Sequence, residues 1–230
     1  MAFCTILKWL IAAYLLSSYK SLPGAYFIRF YYYVIPVLFL PIITGLKTEN
    51  IKKLKENEYG CFSYTKLDTY ASPFECDFYF HKSNSTYFEE LDFSRSDLMC
   101  RVFQKLMLNS KHYPYIPVAN VFTNFLKEIK PFQKYSVTSR IICWDEKWIY
   151  VMSRFTIKNG TVLCSLSLTK YVLKDGRKTI KPKDALEYCD IYNEKVAKIS
   201  DENLKLLTER CGFHETVPLE NLDMSYCSQI

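Results

Sequence analysis

A carboxylate, an imidazole and a helix start lie close together between residues 75 and 95, where the chain reads ECDFYFHKSNSTYFEELDFSR. Asp77 and His81 are four residues apart, so one loop could turn both side chains toward one pocket. The unpaired N–H groups of a first helical turn can hold an oxyanion. Together these groups could hydrolyse a thioester. A capped core helix behind a polar loop is an equal alternative, because clustered carboxylates often serve structure.

Several patterns specify the elements around these residues. A short aromatic strand is predicted to carry Glu75 into the loop, and Asn84, Ser85 and Thr86 are predicted to cap a helix, with Thr86 and Glu89 as a capping box. Apolar residues then recur every three or four positions to about Leu108, which predicts a long helix with one apolar face. Asp92 and Arg95 are spaced for an ion pair within that helix.

The rest of the chain predicts an antiparallel meander. Strands are expected at residues 59–67, 118–129, 134–144, 147–157, 161–174 and 178–181. The pairs Asp145-Glu146, Asn159-Gly160 and Asp175-Gly176 are turn signals between them. Two helices, at 183–199 and 202–211, and a flexible tail after Gly212 are predicted to end the chain. One long helix wrapped by a curved antiparallel sheet of five to six strands is an α+β arrangement, the hotdog fold.

The first 46 residues are strongly apolar. The runs at 3–19 and 25–45 both fall short of the ~20 clean residues of an ideal membrane span, and Pro36 and Pro41 interrupt the second. A cleaved secretory signal is less favoured, since early positive charge and a clear cleavage site are lacking. We therefore expect a membrane anchor or interfacial segment at 1–46, a basic linker at 47–57, the globular domain at 58–182 and C-terminal helices at 183–230.

Positive charges predict how this anchor is oriented. Six of them follow the first apolar run: Lys20, Arg29, Lys47, Lys52, Lys53 and Lys55. The positive-inside rule places them, and the globular domain, on the cytosolic side of an intracellular membrane, of the endoplasmic reticulum or mitochondria. One span at 3–19 followed by an interfacial aromatic segment is favoured over a hairpin of two spans, which would leave Lys20 and Arg29 on the far side.

Composition argues against several other classes of protein. The net charge of +6 is modest, basic residues do not alternate with stacking aromatics, and six glycines form no phosphate loop, so no nucleic-acid partner is expected. Nine scattered cysteines without CxxC spacing support neither structural zinc nor a disulfide framework and fit a reducing compartment. We expect no metal and no cofactor.

The segment from Glu75 to Arg95 also carries a family resemblance. It resembles the D-x-D-x-x-x-H-x-N-N-x-x-Y signature of hotdog acyl-CoA thioesterases of the 4-hydroxybenzoyl-CoA thioesterase type, with Ser83 replacing the first asparagine. It is more similar to the membrane-anchored branch typified by thioesterase superfamily member six, because Asp92-Phe93, Arg95 and the run YSVTSRIICWDEKWIYVMSRF recur. The resemblance covers about residues 59–182.

This resemblance implies roles for individual residues. Asp77 would be the general base or nucleophile that cleaves an acyl-CoA thioester, and Asn84 would line its pocket. His81 would either hydrogen-bond within the loop or orient the acyl carbonyl. Backbone N–H groups near Ser85, Thr86 and Tyr87 would polarise that carbonyl, while the Tyr87 ring would pack against the sheet. The family also implies a homodimer, which would protect an edge strand.

Two other functions occur to different degrees as alternatives on this fold: hydration chemistry and non-catalytic binding. Hotdog hydratases space their aspartate and histidine five apart with Asn-Pro between, whereas Asp77 and His81 are four apart without it, so hydratase chemistry is disfavoured. A non-catalytic membrane protein that binds acyl chains, acyl-CoA or a protein partner in the same groove stays open, because a fold does not decide function.

Overall fold

A computed structural model describes residues 2–45, 49–109, 114–211 and 216–230 of the chain. Its centre is a six-stranded antiparallel sheet in which β1, β3, β4, β5 and β2 are neighbours in that order and β6 pairs with β5. The strands are β1 (Tyr64–Tyr70), β2 (Val118–Phe125), β3 (Lys134–Trp144), β4 (Trp148–Ile157), β5 (Val162–Asp175) and β6 (Lys178–Ile180).

The sheet wraps one long helix. The helices before β1 are α1 (Ala2–Ser17), α2 (Ala25–Val34), α3 (Leu40–Thr44) and α4 (Glu49–Glu56). Between β1 and β2 lie α5 (Asn84–Val102) and α6 (Gln104–Asn109), and after β6 come α7 (Pro182–Tyr188), α8 (Glu194–Arg210) and α9 (Val217–Glu220). One side of α5 buries Leu91 and Leu98 against Val137 of β3, Val151 of β4 and other apolar strand residues. The predicted hotdog architecture is confirmed.

The predicted bounds of the central strands agree with the structure because turn chemistry specifies them. Asp145 Oδ1 accepts the N–H groups of Lys147 and Trp148 at 2.7 Å each, which reverses the chain between β3 and β4. The reversal at Asn159-Gly160 is longer than predicted: Lys158, Asn159 and Gly160 all have positive φ, and the loop holds four residues.

Other predicted boundaries are wrong. Strand 118–129 ends at Phe125, and 59–67 contains a 3₁₀ turn at Gly60–Phe62 before β1 starts at Tyr64. The central helix stops at Val102, and α6 continues toward Leu108. The helix predicted at 183–199 is split, because Asp190 adopts φ 60° and Asn193 caps a new helix by accepting the Val196 N–H at 2.9 Å.

The C-terminal segment covers the outer face of the sheet and its edge. Leu204 and Leu207 of α8 and Leu219 of α9 pack on the Ile142 and Met152 side chains. The described end of the predicted flexible tail is instead bonded to β1: the Tyr64 N–H donates to the Ser228 carbonyl at 2.9 Å, and the Ile230 N–H donates to the Tyr64 carbonyl at 3.0 Å. The prediction of a flexible tail is wrong for residues 216–230.

The N-terminal segment lies along the outer side of α5. Residues 25–44 are helical throughout, with a π-helical turn at Ile35–Phe39 where Pro36 interrupts regular bonding, and they are long and apolar enough to cross a membrane. Tyr33 stacks on Phe93 of α5, and Val37 packs with Cys100. Its opposite face is exposed, as is most of α1. Within the predicted basic linker, α4 buries its Leu54 in the core.

Candidate active site

The Asp77 loop, residues 76–83, is a tight hairpin rather than the end of a strand. The Asp77 N–H donates to the His81 carbonyl at 2.9 Å, and the Phe80 N–H donates to the Asp77 carbonyl at 3.1 Å. The predicted aromatic strand at Glu75 is wrong, because Pro73–Glu75 is a 3₁₀ turn. Glu75 Oε2 closes that turn by accepting the Ser72 N–H at 2.7 Å.

The hairpin brings Asp77 and His81 together, as their spacing predicts. Asp77 Oδ1 lies 3.5 Å from His81 Nδ1 and also accepts the Tyr79 N–H at 2.9 Å. Both side chains are about one-third exposed, at 32% and 30%. Asp77 Oδ2 has no hydrogen-bond partner among the described residues, so this oxygen is free to act on a bound molecule.

The start of α5 differs from the predicted capping box. Ser83 is the N-cap residue, and the Thr86 hydroxyl lies 2.8 Å from the Ser83 carbonyl oxygen. The Thr86 N–H is also taken by that carbonyl, at 3.0 Å. In the part of the chain that the structure describes, the N–H groups of Asn84 and Ser85 have no acceptor, and both residues are exposed. These two donors are the ones the first turn can offer to an oxyanion.

Tyr87 is buried one turn into α5. Its ring lies 5.1 Å from that of Phe125 and 4.8 Å from that of Phe155, centroid to centroid. Burial raises the pKa of the Tyr87 hydroxyl. The structure thus places its side chain against the sheet and not beside Asp77.

Sequence reasoning missed how the loop displays its aromatic tip. Phe78 is 90% exposed, and Tyr79 and Phe80 are exposed nearly as much. Phe80 adopts φ 59°, a left-handed conformation that is strained for a bulky residue. Phe78 and Phe80 therefore project into solvent next to Asp77, while the Tyr79 ring stacks on that of His81 with centroids 5.9 Å apart.

Sequence reasoning also missed a buried ion cluster behind the loop, made of Lys20, Arg29, Glu75, Lys82 and Glu90. Glu75 Oε2 lies 3.0 Å from Lys20 Nζ, and Glu75 Oε1 lies 3.1 Å from Lys82 Nζ. Glu90 Oε1 lies 2.7 Å from Lys20 Nζ, and Glu90 Oε2 lies 2.7 Å from a guanidinium nitrogen of Arg29. The available signal was a lone charge between the two apolar runs for Lys20 and a lone charge inside the second run for Arg29.

Burial and neighbouring charges shift the pKa values of this cluster in opposite directions. Burial lowers the pKa of Lys82, and Glu75 and Glu90 offset only part of that effect. Burial would raise the pKa of Glu90, but Lys20, Arg29 and Lys82 outweigh it and hold this pKa below its usual value. Glu90 is therefore held as a carboxylate inside the protein.

Comparison with known proteins identifies the family. A family model described as the thioesterase-like superfamily matches residues 72–207, which include the Asp77 loop and α5. A probable thioesterase of Saccharomyces cerevisiae is 86% identical over the full length of both chains. A thioesterase of Penicillium oxalicum is 32% identical, with 84% of this chain and 74% of that protein aligned. Protein THEM6 of Xenopus laevis is 28% identical, over 75% of this chain and 74% of its own length.

These matches confirm the resemblance found in the signature around Asp77 and the predicted class of enzyme, a thioester hydrolase. The chain belongs to the thioesterase-like superfamily.

Proposed function

We propose that the chain is a membrane-bound thioesterase that hydrolyses a fatty acyl-CoA or a related acyl thioester, with Asp77 as its general base or nucleophile. The observation that carries the proposal is the position of Asp77. Its carboxylate is about one-third exposed, is paired with His81 and has one oxygen without a partner among the described residues, on a loop that leads directly into the open first turn of α5.

Each group in this arrangement has a chemical task. The N–H groups of Asn84 and Ser85 would bind the thioester carbonyl oxygen as it gains negative charge. As a general base, Asp77 Oδ2 would take a proton from the attacking water and pass it to the thiolate that leaves when the C–S bond breaks. As a nucleophile, it would attack the carbonyl carbon and expel the thiolate, and water would then hydrolyse the resulting anhydride to free the acid and the Asp77 carboxylate. Loss of one oxyanion donor typically costs about 3 kcal/mol of barrier height, roughly a hundredfold in rate. His81 would orient Asp77 or the acyl carbonyl, and Asn84 would line the pocket.

The N-terminal segment supports membrane attachment. α1 exposes most of its apolar side chains, and so does the outer face of residues 25–44. Lys20 and Arg29 pair with carboxylates of the catalytic domain, so the chain between them lies on the same side as that domain. This favours insertion of α1, with residues 25–44 at the interface and the domain in the cytosol, over a hairpin whose turn crosses the membrane.

The aromatic tip of the Asp77 loop would add to this membrane contact. Amphipathic and aromatic side chains favour the boundary between headgroups and acyl chains. The change of Phe78 and Phe80 to serine together should weaken binding of the full chain to phosphatidylcholine vesicles in a flotation assay, whereas Tyr188→Ser, an exposed aromatic on α7, should not. Equal flotation of both variants would show that the aromatic tip does not contribute to membrane binding.

We also propose that the chain forms a homodimer. β2 is an edge of the main sheet, hydrogen-bonded to β5 and carrying exposed residues such as Val118 and Phe125. A second copy paired along β2 would cover this edge and bring a second surface near Tyr87, which contacts Phe125. Sedimentation equilibrium of the full chain in detergent should give twice the chain mass, and a single-chain mass would contradict the dimer.

The decisive experiment is release of free CoA from acyl-CoAs of short to long chain by the full chain in detergent. Asp77→Asn should abolish turnover while circular dichroism stays unchanged. Asp68→Asn, which neutralises an exposed aspartate on β1, is the matched control and should retain turnover. Turnover by Asp77→Asn at the rate of the unmodified chain would eliminate Asp77 as the catalytic group.

A binding protein is the second candidate, favoured by the exposed aromatic tip beside Asp77, whose apolar rings offer a contact surface for an acyl chain. A folded chain that releases no CoA from any member of the panel but binds acyl-CoA in equilibrium dialysis would support this second function. It would also contradict thioester hydrolysis.

A further inference from the structure

The buried ion cluster connects the N-terminal segment to the Asp77 loop. Lys20 lies in a 3₁₀ turn between α1 and α2, yet the residue is only 2% exposed. Its ammonium bonds groups of the catalytic domain: the Glu75 and Glu90 carboxylates and, at 2.7 Å, the Tyr70 carbonyl. The Lys20 charge therefore serves contacts within the protein and not only the orientation of the chain in a bilayer.

Arg29 makes the second connection. One of its terminal nitrogens lies 2.8 and 2.7 Å from the two carboxylate oxygens of Glu90, and its guanidinium carbon lies 4.3 Å from the centre of the Phe93 ring. Glu90 itself is 0% exposed. Removing charges from water is costly, and a buried charge that loses its partner is strongly unfavourable. Lys20 is thus a partner shared by both glutamates, and Arg29 is the second partner of Glu90, so loss of either cation removes one ion pair from a buried carboxylate.

The two glutamates lie on either side of the Asp77 loop in sequence, Glu75 directly before it and Glu90 in the helix that follows it. Glu75 is two residues before Asp77; its carbonyl accepts the Ser83 N–H at 2.8 Å, and its carboxylate holds the Lys82 ammonium next to His81. Glu75 is therefore next to the start of the Asp77 loop in sequence and is bonded to Lys82 and Ser83 at its end. Glu90 lies two turns into α5, the helix whose first N–H groups face the proposed oxyanion.

We propose that Lys20 and Arg29 are positioning residues for the active site, which makes the N-terminal segment an integral part of the catalytic domain rather than a detachable anchor. By holding Glu75 and Glu90, the two cations fix the Asp77 loop relative to the first turn of α5. This inference deepens the proposed thioesterase function and rests on it for its catalytic consequence. Its structural consequence, a rigid Asp77 loop, can be measured independently.

The test uses the full chain in detergent and the variant Lys20→Met, with Lys8→Met, an exposed lysine on α1, as the matched control. Hydrogen exchange is followed at the backbone amides of Asp77, Lys82 and Ser83, which are bonded to the His81, Ile129 and Glu75 carbonyls. Exchange at these three amides should accelerate at least tenfold in Lys20→Met, while the Val151 amide in β4 keeps its rate. Lys8→Met should leave all four rates unchanged.

Kinetics give the second measurement. If the cations position Asp77, kcat in Lys20→Met should fall at least tenfold with a smaller change in KM. The gentler variant Arg29→Lys, which keeps the charge but loses the two-point contact with Glu90, should show the same changes to a lesser degree. It also provides the measurement should Lys20→Met not fold.

Several outcomes would overturn the inference. One is unchanged exchange in the Asp77 loop of both variants. Another is equal acceleration at Val151, which would make the cations general stabilisers. A third is full kcat despite a loosened loop. Failure of the proposed function gives a different result: the unmodified chain would hydrolyse no thioester, while the local acceleration in Lys20→Met would still show that the cations hold the loop.

Discussion

Asp77 Oδ1 lies 3.5 Å from His81 Nδ1 across a hairpin that the Asp77 N–H closes on the His81 carbonyl. The backbone therefore holds the two side chains in one arrangement, independently of any bound molecule. A carboxylate that reacts and an imidazole that orients it should respond differently to mutation.

His81→Gln should lower kcat for acyl-CoA hydrolysis by roughly ten- to a hundredfold, because the amide can still bond to Asp77 but holds it less firmly. Asp77→Asn should lower kcat by the full contribution of a general base, about 10²- to 10⁴-fold, or more. Steady-state CoA release measures both. Equal losses in the two variants would show that His81 takes part in the chemistry rather than in positioning.

Glu90 should make stability depend on acid. Its folded pKa is lowered, so its contribution is fully present above the unfolded value of about 4.5 and is lost as pH falls through the folded pKa. Glu90→Gln should reduce the free energy of unfolding by roughly 3 kcal/mol near pH 7, as for other buried ion pairs that lose a partner. That difference should shrink below about pH 4.

Urea unfolding of both chains between pH 3 and pH 7 provides the measurement. Glu49→Gln is the control, since Glu49 forms an exposed pair with Lys53 and such pairs contribute about 1 kcal/mol at most. A Glu90→Gln effect that stays constant over this pH range would contradict the depressed pKa.

Arg95 should contribute more to the stability of the fold than an ion pair on an exposed helix surface does. It bonds Asp92 at 2.7 Å as predicted, but it is buried and also donates to the Thr169 hydroxyl of β5 at 2.6 Å and to the Leu91 carbonyl at 3.0 Å. Arg95→Met leaves the last two acceptors without this donor, so the free energy of unfolding should fall by about 1–3 kcal/mol. Lys53→Met, on an exposed helix pair, should change it by less than about 1 kcal/mol. Similar values for the two variants would contradict this role.

The C-terminal residues should stabilise the sheet edge. Tyr226 packs on Tyr59 and Phe62, with centroids 5.5 and 5.7 Å apart, and two backbone bonds join Ser228 and Ile230 to Tyr64. Deletion of residues 224–230 should lower the free energy of unfolding by about 3 kcal/mol, from the aromatic burial and the two lost bonds. Gln229→Ala keeps those bonds and should have little effect. A deletion as stable as the full chain would mean that the segment is dispensable.

Local patterns were sufficient for much of the fold. The bounds of β3 could be read directly, because apolar alternation and the Asp145 turn depend on neighbouring residues alone. The Asp92–Arg95 pair is three positions apart on one helix and was predicted for the same reason. In the candidate site, the closeness of Asp77 and His81 followed from their spacing. The helix start did not, because Ser83 became the cap through the Ser83 N–H bond to Glu75.

The amino-acid sequence by itself determined the class of fold, the succession of hairpins from β3 to β5 and the residues of the Asp77 loop, since all of these depend on short-range periodicity and turn chemistry. It did not determine the place of β2, which pairs with β5 and not with the next strand, β3. Only the tertiary structure decided where Lys20 and Arg29 act and what the end of the chain does. Lys20 meets Glu75 across 55 positions, and Ser228 meets Tyr64 across 164. Such contacts form because packed elements exclude water around charges and backbone groups that must then find partners, and no local pattern records which partners are near.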